Sequence, residues 1–493
     1  MEEYRHHIIL SALGIYMVLC IVIGIWALRK TTSVKDFFMA GRDLGIMVAA
    51  FAIFSSTMSG FGFVGGPGLV YRMGMSSAWM AVCAMIGFSL STFLLAKRLR
   101  LFAELGNSVS LPDVVKLRYN SNTTSFLISI AILLGVLGYL ATQIKAMTVV
   151  LRDILIETPW VDAISLEACM LISCSILVFY SVTGGIIASV YTDIIQGGIM
   201  VVASILIFIA AIFAFEGGFG EISQIIQQDD PAAMSPWGTL GMIGCLSWLF
   251  VFALGGAGQP HVITKMMMNK KISDARFILP VSAFGYMFSA LLWISIGLAM
   301  RAVVLDGSHP ELGNADEAAS QFLQHYASPI LAGVVFAGLF AAIMSTADAF
   351  LNIGTAAIIH DIPKAIGKRI PNELFWARMV TFLLTILAGA FALYTGDLVA
   401  ILGAFGWGTF AAAIVPVVAI GFNWKRATPK AANIAIISSL SVNFIIKIFK
   451  IPLPYSIDVG AFALFVSMFL FFTISLMDKP QELDPDVSKI MDI

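Results

Sequence analysis

The sequence predicts an all-α integral membrane protein, and three observations predict it. There are about thirteen apolar stretches of spanning length, charge is scarce, and two of the stretches are interrupted by glycine-rich runs. Hydrophobic residues make up 59% of the chain and charged residues 12%, at a mean hydropathy of +0.92. Globular chains carry roughly 25% charge. A formal net charge of -1 gives no electrostatic footing for nucleic acid. Cys20, Cys83, Cys169, Cys174 and Cys245 all fall in apolar segments without metal-ligand spacing and read as small hydrophobes. Ile8–Leu28 is longer than a signal-peptide core and lacks a small-x-small site, so it is expected to remain as a span.

The expected spans are Ile8–Leu28, Gly45–Tyr71, Met73–Ala96, Ser125–Leu151, Ala163–Gly184, Ser189–Phe215 and Thr239–Gly258. They continue with Arg276–Val303, Pro329–Ile359, Phe375–Tyr394, Leu398–Phe422, Ala432–Ile448 and Ser456–Met477. Each is about 17–31 residues long, against about 20 needed to cross the hydrocarbon. Lys and Arg concentrate in one set of alternate loops: Arg29, Lys30, Lys35 and Arg42; Lys97, Arg98 and Arg100; Lys265, Lys270 and Lys271. The set continues with Lys364, Lys368 and Arg369, and with Lys425, Arg426 and Lys430. The loops after Gly217 and Val304 are acidic instead. This bias predicts a multi-pass protein of the inner (plasma) membrane, with its N-terminus outside and its C-terminus in the cytoplasm.

The interruptions are Ser55-Ser56-Thr57-Met58-Ser59-Gly60, followed by Gly62, Gly65, Gly66 and Gly68, and Gly255-Gly256-Ala257-Gly258-Gln259-Pro260. In hydrocarbon each orphaned backbone amide costs several kcal/mol, so such backbone survives only inside protein or beside a polar cavity. Secondary transporters use helices broken at matching positions of two halves to hold ions and solute. The chain divides accordingly into residues 1–44 (first span and cytoplasmic loop), 45–238 and 239–424 (two five-span units), 425–478 (two peripheral spans) and 479–493 (cytoplasmic tail). Each unit opens on a broken span, as an inverted five-plus-five repeat requires. The loops are too short to house a sensor kinase or a separate enzyme. No nucleotide-binding loop or nucleophile–base pair competes as an activity.

Seven motifs carry a family resemblance. They are Gly41-Arg42-Asp43-Leu44-Gly45, Met58-Ser59-Gly60, Leu111-Pro112-Asp113, and Gly184-Gly185 with Tyr191-Thr192-Asp193 and Gln196. Gly258-Gln259-Pro260-His261, Ala341-Ala342-Ile343-Met344-Ser345-Thr346 and the Gly403–Pro416 segment follow in the same register. With these the chain resembles the sodium/solute symporter family, and within it the proline-transporting members most closely. The resemblance implies a LeuT-like fold, sodium as the coupling ion and no enzymatic activity.

Ser345 and Thr346 lie among small residues in the ninth span, and two hydroxyls suit a hard cation. Ordinary small-residue packing with back-bonding to the preceding turn is the plain alternative. The resemblance places sodium on the carbonyls of Ser55, Met58 and Ala342 and the hydroxyls of Ser345 and Thr346. Asp193 reads either as an interfacial cap or, by resemblance, as a second sodium site or part of the ion pathway. Ser59, Gly60, Tyr139, Gln143, Phe252, Gly256, Gln259 and Pro260 are expected around the solute.

Lys145, deep in the fourth span, has three readings: snorkelling to the interface, pairing with Asp348, or anchoring a substrate carboxylate. Arg42 reads as a positive-inside anchor or an ion-coupling residue. His261 and His360 read as interfacial polar residues. The chain departs from the proline-transporting pattern at Thr57, where an aspartate is usual, and at Phe252 and Gly256, where a tryptophan and a tyrosine are usual. A pocket that disfavours proline itself is therefore expected.

These residues predict a sodium-coupled symporter of a small polar organic solute, of the amino acid or carboxylate class, working by alternating access. A proton-coupled carrier of the same fold and a transporter-like membrane receptor are the alternatives. Its expected partners are the solute, sodium and the lipid bilayer, with no nucleic acid and no obligate protein partner.

Overall fold

Caps fix where many of the helices begin. Ser110, Ser121, Ser165, Thr428 and Asp458 each accept, on a side-chain oxygen, the amide three residues on. A computed structural model describes residues 4–31, 33–40, 43–158, 164–395 and 398–493. Within them regular structure is helical, apart from one isolated bridge between Leu44 and Asn269. Eleven helices there are long and apolar enough to cross a bilayer, and two shorter apolar helices, Ile46–Thr57 and Leu166–Phe179, accompany them.

In chain order the principal helices are α1 (Arg5–Lys30), α2 (Ile46–Thr57), α3 (Gly66–Met73), α4 (Ala78–Leu105), α5 (Leu111–Tyr119), α6 (Asn122–Ile156) and α7 (Leu166–Ile212). After them come α8 (Gly241–Trp248), α9 (Pro260–Met266), α10 (Ala275–Leu305), α11 (Pro329–Ala356), α12 (Glu373–Thr395), α13 (Val399–Ile414), α14 (Pro429–Ile448) and α15 (Val459–Met477). The core is built around α11, in which every residue from Val335 to Asn352 is buried. A helix apolar on all sides must be enclosed by others. Here α1, α6 and above all α7 pack against it.

The first broken span is narrower than its glycine content suggests. Helix α2 ends at Met58, which is extended (φ -84°, ψ 102°). The chain then resumes through a π-helical turn, Phe61–Gly65, into α3. Gly62 and Gly66 are helical and serve a different end: a β-carbon on either would lie within 2.6–2.7 Å of the Trp293 ring of α10. The opening is thus confined to Met58 and Ser59, and Gly62 and Gly66 let the following turns pack closely on an indole.

The second broken span extends further than expected. After α8, a π-helical turn (Leu249–Leu254) and a short 3-10 turn (Gly256–Gly258) lead to Gln259, again extended (φ -80°, ψ 108°). Pro260 then restarts the chain as α9, at a position where its missing N–H is no loss. The sequence reading ended this span at Gly258 and left Lys265 in a loop. The structure instead carries the chain back into the bundle, where Lys265 is buried. Main-chain bonds from Leu44 N to Met268 O (3.3 Å) and from Lys270 N to Leu44 O (3.0 Å) tie the start of α2 to the end of α9.

At one end of the bundle Asp113 of α5 bonds His360 (3.3 Å) and Lys364 (2.7 Å). Burial works to raise its pKa, but His360 and Lys364 outweigh burial and hold it near about 2. Stability from this contact is therefore present above the ordinary value of 3.8 and is lost only as pH falls through about 2.

Gly185 divides α7 into two arms with φ 54° and ψ -158°, a region only glycine occupies readily. A β-carbon there would also sit 2.6 Å from the Phe37 ring. Gly185→Ala should therefore destabilise the protein by about 1–3 kcal/mol. A melting curve in detergent is the check, and an unchanged midpoint would contradict this reading of the bend.

Candidate ion and solute site

The interruption of α2 frees carbonyls in its last turn, and the structure shows what they meet. Ser345 Oγ, on α11, donates to Ser55 O at 3.0 Å and lies 3.1 Å from Ala342 O. Thr346 Oγ1 donates to Ser56 O at 3.0 Å. All of these residues are buried. Oxygen ligands suit sodium, and the C-terminal end of a helix carries the negative pole of its dipole. The arrangement fits a monovalent hard cation: two hydroxyls can turn their lone pairs to an ion placed between them and the carbonyls. Met58, the residue at which the helix opens, is fully buried beside this cluster's chain segment. Thr57 donates its hydroxyl to Phe54 O (2.6 Å), so the side chain here closes on its own helix.

Across the same break lie the polar groups expected around solute. Gln143 Oε1 of α6 accepts the amide of Gly60 at 2.8 Å, and Ser59 Oγ lies 3.4 Å from the Tyr139 hydroxyl. Gln259 holds the second break by donating to Gly255 O (3.0 Å) and Trp407 O (3.4 Å). Phe252 stacks on Phe61, with ring centroids 6.2 Å apart, and lies 5.3 Å from the Trp407 ring. Tyr139 and His261 both pack on Phe350. Pro260 is fully buried at the head of α9.

Three residues sit elsewhere than their sequence suggested. Gly256 packs on the scaffold: a β-carbon would lie 2.5 Å from the Gly87 backbone of α4, which leaves no room for a tyrosine. Lys145 lines a separate cavity of about 260 Å³ with Thr148, Arg152, Asp153, Asn314 and Glu317, away from the break at Gly60. Asp316 lies within reach of its charge. His261 is buried within the aromatic cluster, not interfacial. His360 lies between Asp113 and Glu373. Gly41 and Arg42 fall outside the described residues.

Asp193 is fully buried and paired with Lys265, Nζ to Oδ2 2.8 Å. Sequence reasoning missed Lys265 because a lysine after a glycine-rich break reads as a loop residue. The signal that marks it is the Pro260 restart followed by the uncharged run His261-Val262-Ile263-Thr264, which continues a helix as far as Lys265.

Comparison with known proteins adds the wider context. A family model described as "Sodium:solute symporter family" matches residues 37–438. The sodium/proline symporter of Escherichia coli is 29% identical over 432 residues, covering 85% of this chain and 83% of that protein. The osmoregulated proline transporter of Bacillus subtilis is 27% identical over 440 residues, covering 87% and 86%. In structure, a Na+-coupled sialic acid symporter in a substrate-bound outward-open state superposes with a TM-score of 0.78 at 19% identity, covering 97% of this chain and 99% of that one. Mhp1, a nucleobase-cation-symport-1 family transporter, superposes at 0.58 with 13% identity, covering 94% and 99%. These likenesses show the LeuT-like fold.

Gln143→Leu tests the solute side of the break. It strips the side-chain acceptor from the buried Gly60 amide, a loss of about 1–3 kcal/mol. The expected result is a lower melting temperature together with weaker solute binding. Full stability with intact binding would show that Gln143 is not needed at the break.

Proposed function

The chain belongs to the sodium:solute symporter family, and from that premise we propose that it couples the inward movement of sodium to uptake of a small amino acid or carboxylate across the cell membrane. One observation carries the ion half of the proposal. The hydroxyls of Ser345 and Thr346 reach two consecutive carbonyls, those of Ser55 and Ser56, at the broken end of α2. Sodium is cargo here, held by those hydroxyls with the Ser55, Met58 and Ala342 carbonyls. It joins α11 to α2 when present and lets them part when it leaves.

The solute half rests on Ser59, Gly60, Tyr139 and Gln143, which place hydroxyl and amide groups at the first break. Relatives named as proline transporters support a small amino-acid-like solute. Phe252 has no polar hydrogen, which argues that this pocket prefers another member of the class to proline. The lysine and arginine bias of the loops supports an outside N-terminus and a cytoplasmic C-terminus. Inward sodium then gains about 2.3 kcal/mol per charge per 100 mV of membrane potential. The comparisons lend no support to a proton-coupled carrier or a receptor.

Uptake into proteoliposomes should require an inward sodium gradient. Thr346→Ala and Ser345→Ala should each raise the sodium concentration for half-maximal uptake by about tenfold, the equivalent of one lost ligand of about 1.4 kcal/mol. Thr346→Ser, which keeps the hydroxyl, should stay near the parent. Equal uptake with potassium replacing sodium would remove the proposal.

A further inference from the structure

One turn before the carbonyls that face Ser345 and Thr346 lies a charged pair to which sodium symport at those hydroxyls gives no role. Lys265 stands in the last turn of α9, and Asp193 in the second arm of α7. The Lys265 ammonium lies 2.8 Å from Asp193 Oδ2 and 2.7 Å from Ala52 O of α2. Both side chains are sealed, at 1% and 0% exposure. The Ser55 hydroxyl lies beside the same carboxylate. Among the described residues, Asp348 and His261 also lie within electrostatic reach of the ammonium.

An isolated charge of this kind costs several kcal/mol when dry, so Asp193 needs a positive partner whenever it is closed off from water. The oxygens that Lys265 meets, a carboxylate and a main-chain carbonyl one turn before the broken end of a helix, are of the kind by which carriers hold a mobile cation. The ammonium fills that place from the side, on a four-carbon stem rooted in the opposite half of the protein. Because Ala52 and Ser55 share one helical turn, this place and the Ser345–Thr346 cluster are neighbouring positions on a single helix end.

We propose that Lys265 is a tethered cation that occupies a second cation position at Asp193, so that the carrier loads one mobile sodium per chain. The inference rests on the sodium-coupled reading above. It assigns the protein's sodium stoichiometry to a side chain. The second ion such a position would otherwise take is replaced by a charge that never leaves. The pair is neutral, so it adds nothing to the charge carried across the membrane in each cycle. A purely structural bridge between α2, α7 and α9 would make a different prediction, since its loss would weaken the fold without creating a sodium site.

The test is saturation binding of radioactive sodium, without solute, to purified protein in lipid nanodiscs at about pH 8.5, where carboxylates are ionised. The parent should bind one sodium per chain. Lys265→Met should bind two, because Asp193 is then left to a mobile ion, and Lys265→Met with Asp193→Asn should return to one. Lys265→Met that folds and still binds one would overturn the inference. So would a parent that binds two and loses one in Asp193→Asn. Should Lys265→Met fail to fold, Lys265→Gln, which can still donate to Ala52 O, takes its place: two sodium ions per chain uphold the tethered cation and one overturns it. A parent that binds no sodium would instead refute the sodium-coupled reading, and with it the basis of this one.

Discussion

The last turn of α2 is the point on which the site depends. A helix that stops inside a bundle leaves carbonyls with no amide to accept from, and such groups are costly away from water. Two of them, on Ser55 and Ser56, are met by the hydroxyls of Ser345 and Thr346 from distant chain, and one turn earlier the Lys265 ammonium adds a bond to Ala52 O. These donors belong to α9 and α11, so satisfying one broken helix draws both of those helices onto it.

The arrangement accounts for the placement of the rest. Because α11 supplies two of the three donors, it must be central and packed on every side, and its uninterrupted buried run from Val335 to Asn352 meets that need. Helix α3 can turn away from α2 only by lying close on α10, which Gly62 and Gly66 permit against Trp293. The second break mirrors the first in form, with an extended residue and then a restarted helix, but its carbonyls are held by Gln259 and its head by Pro260. The main-chain bonds at Leu44 couple the two broken spans at their shared end. Motion of α9 is thereby linked to α2 by backbone as well as by Lys265.

Much of this was legible in the sequence, for physical reasons. Glycine and proline at Met58–Gly60 and Gly255–Pro260 mark backbone that cannot stay helical in lipid, and both breaks lie where they were expected. Paired hydroxyls at Ser345 and Thr346 stand out after the apolar run from Leu331 to Met344. The contacts between Gln143 and Gly60 and between Tyr139 and Ser59 join residues that the motifs had already singled out. What stayed hidden depends on contacts across long stretches of chain. Lys265 and Asp193 are 72 residues apart, and a hydropathy window treats a lysine as the end of a span rather than as a buried partner. Lys145 shows the converse: its depth in the fourth span left three readings open, and the structure places it in a cavity beside Arg152 and Asp153. Sequence position gives depth along a helix but not which neighbour the side chain faces.

The central claim, that sodium bridges the broken end of α2 to α11, is open to direct measurement by hydrogen exchange. Peptides covering residues 52–60 and 341–348 would be followed by mass spectrometry in sodium and in potassium at equal ionic strength, with no solute added. The account predicts slower exchange in sodium in both peptides, and no such difference in Thr346→Ala. Identical exchange in the two salts across both segments would contradict it.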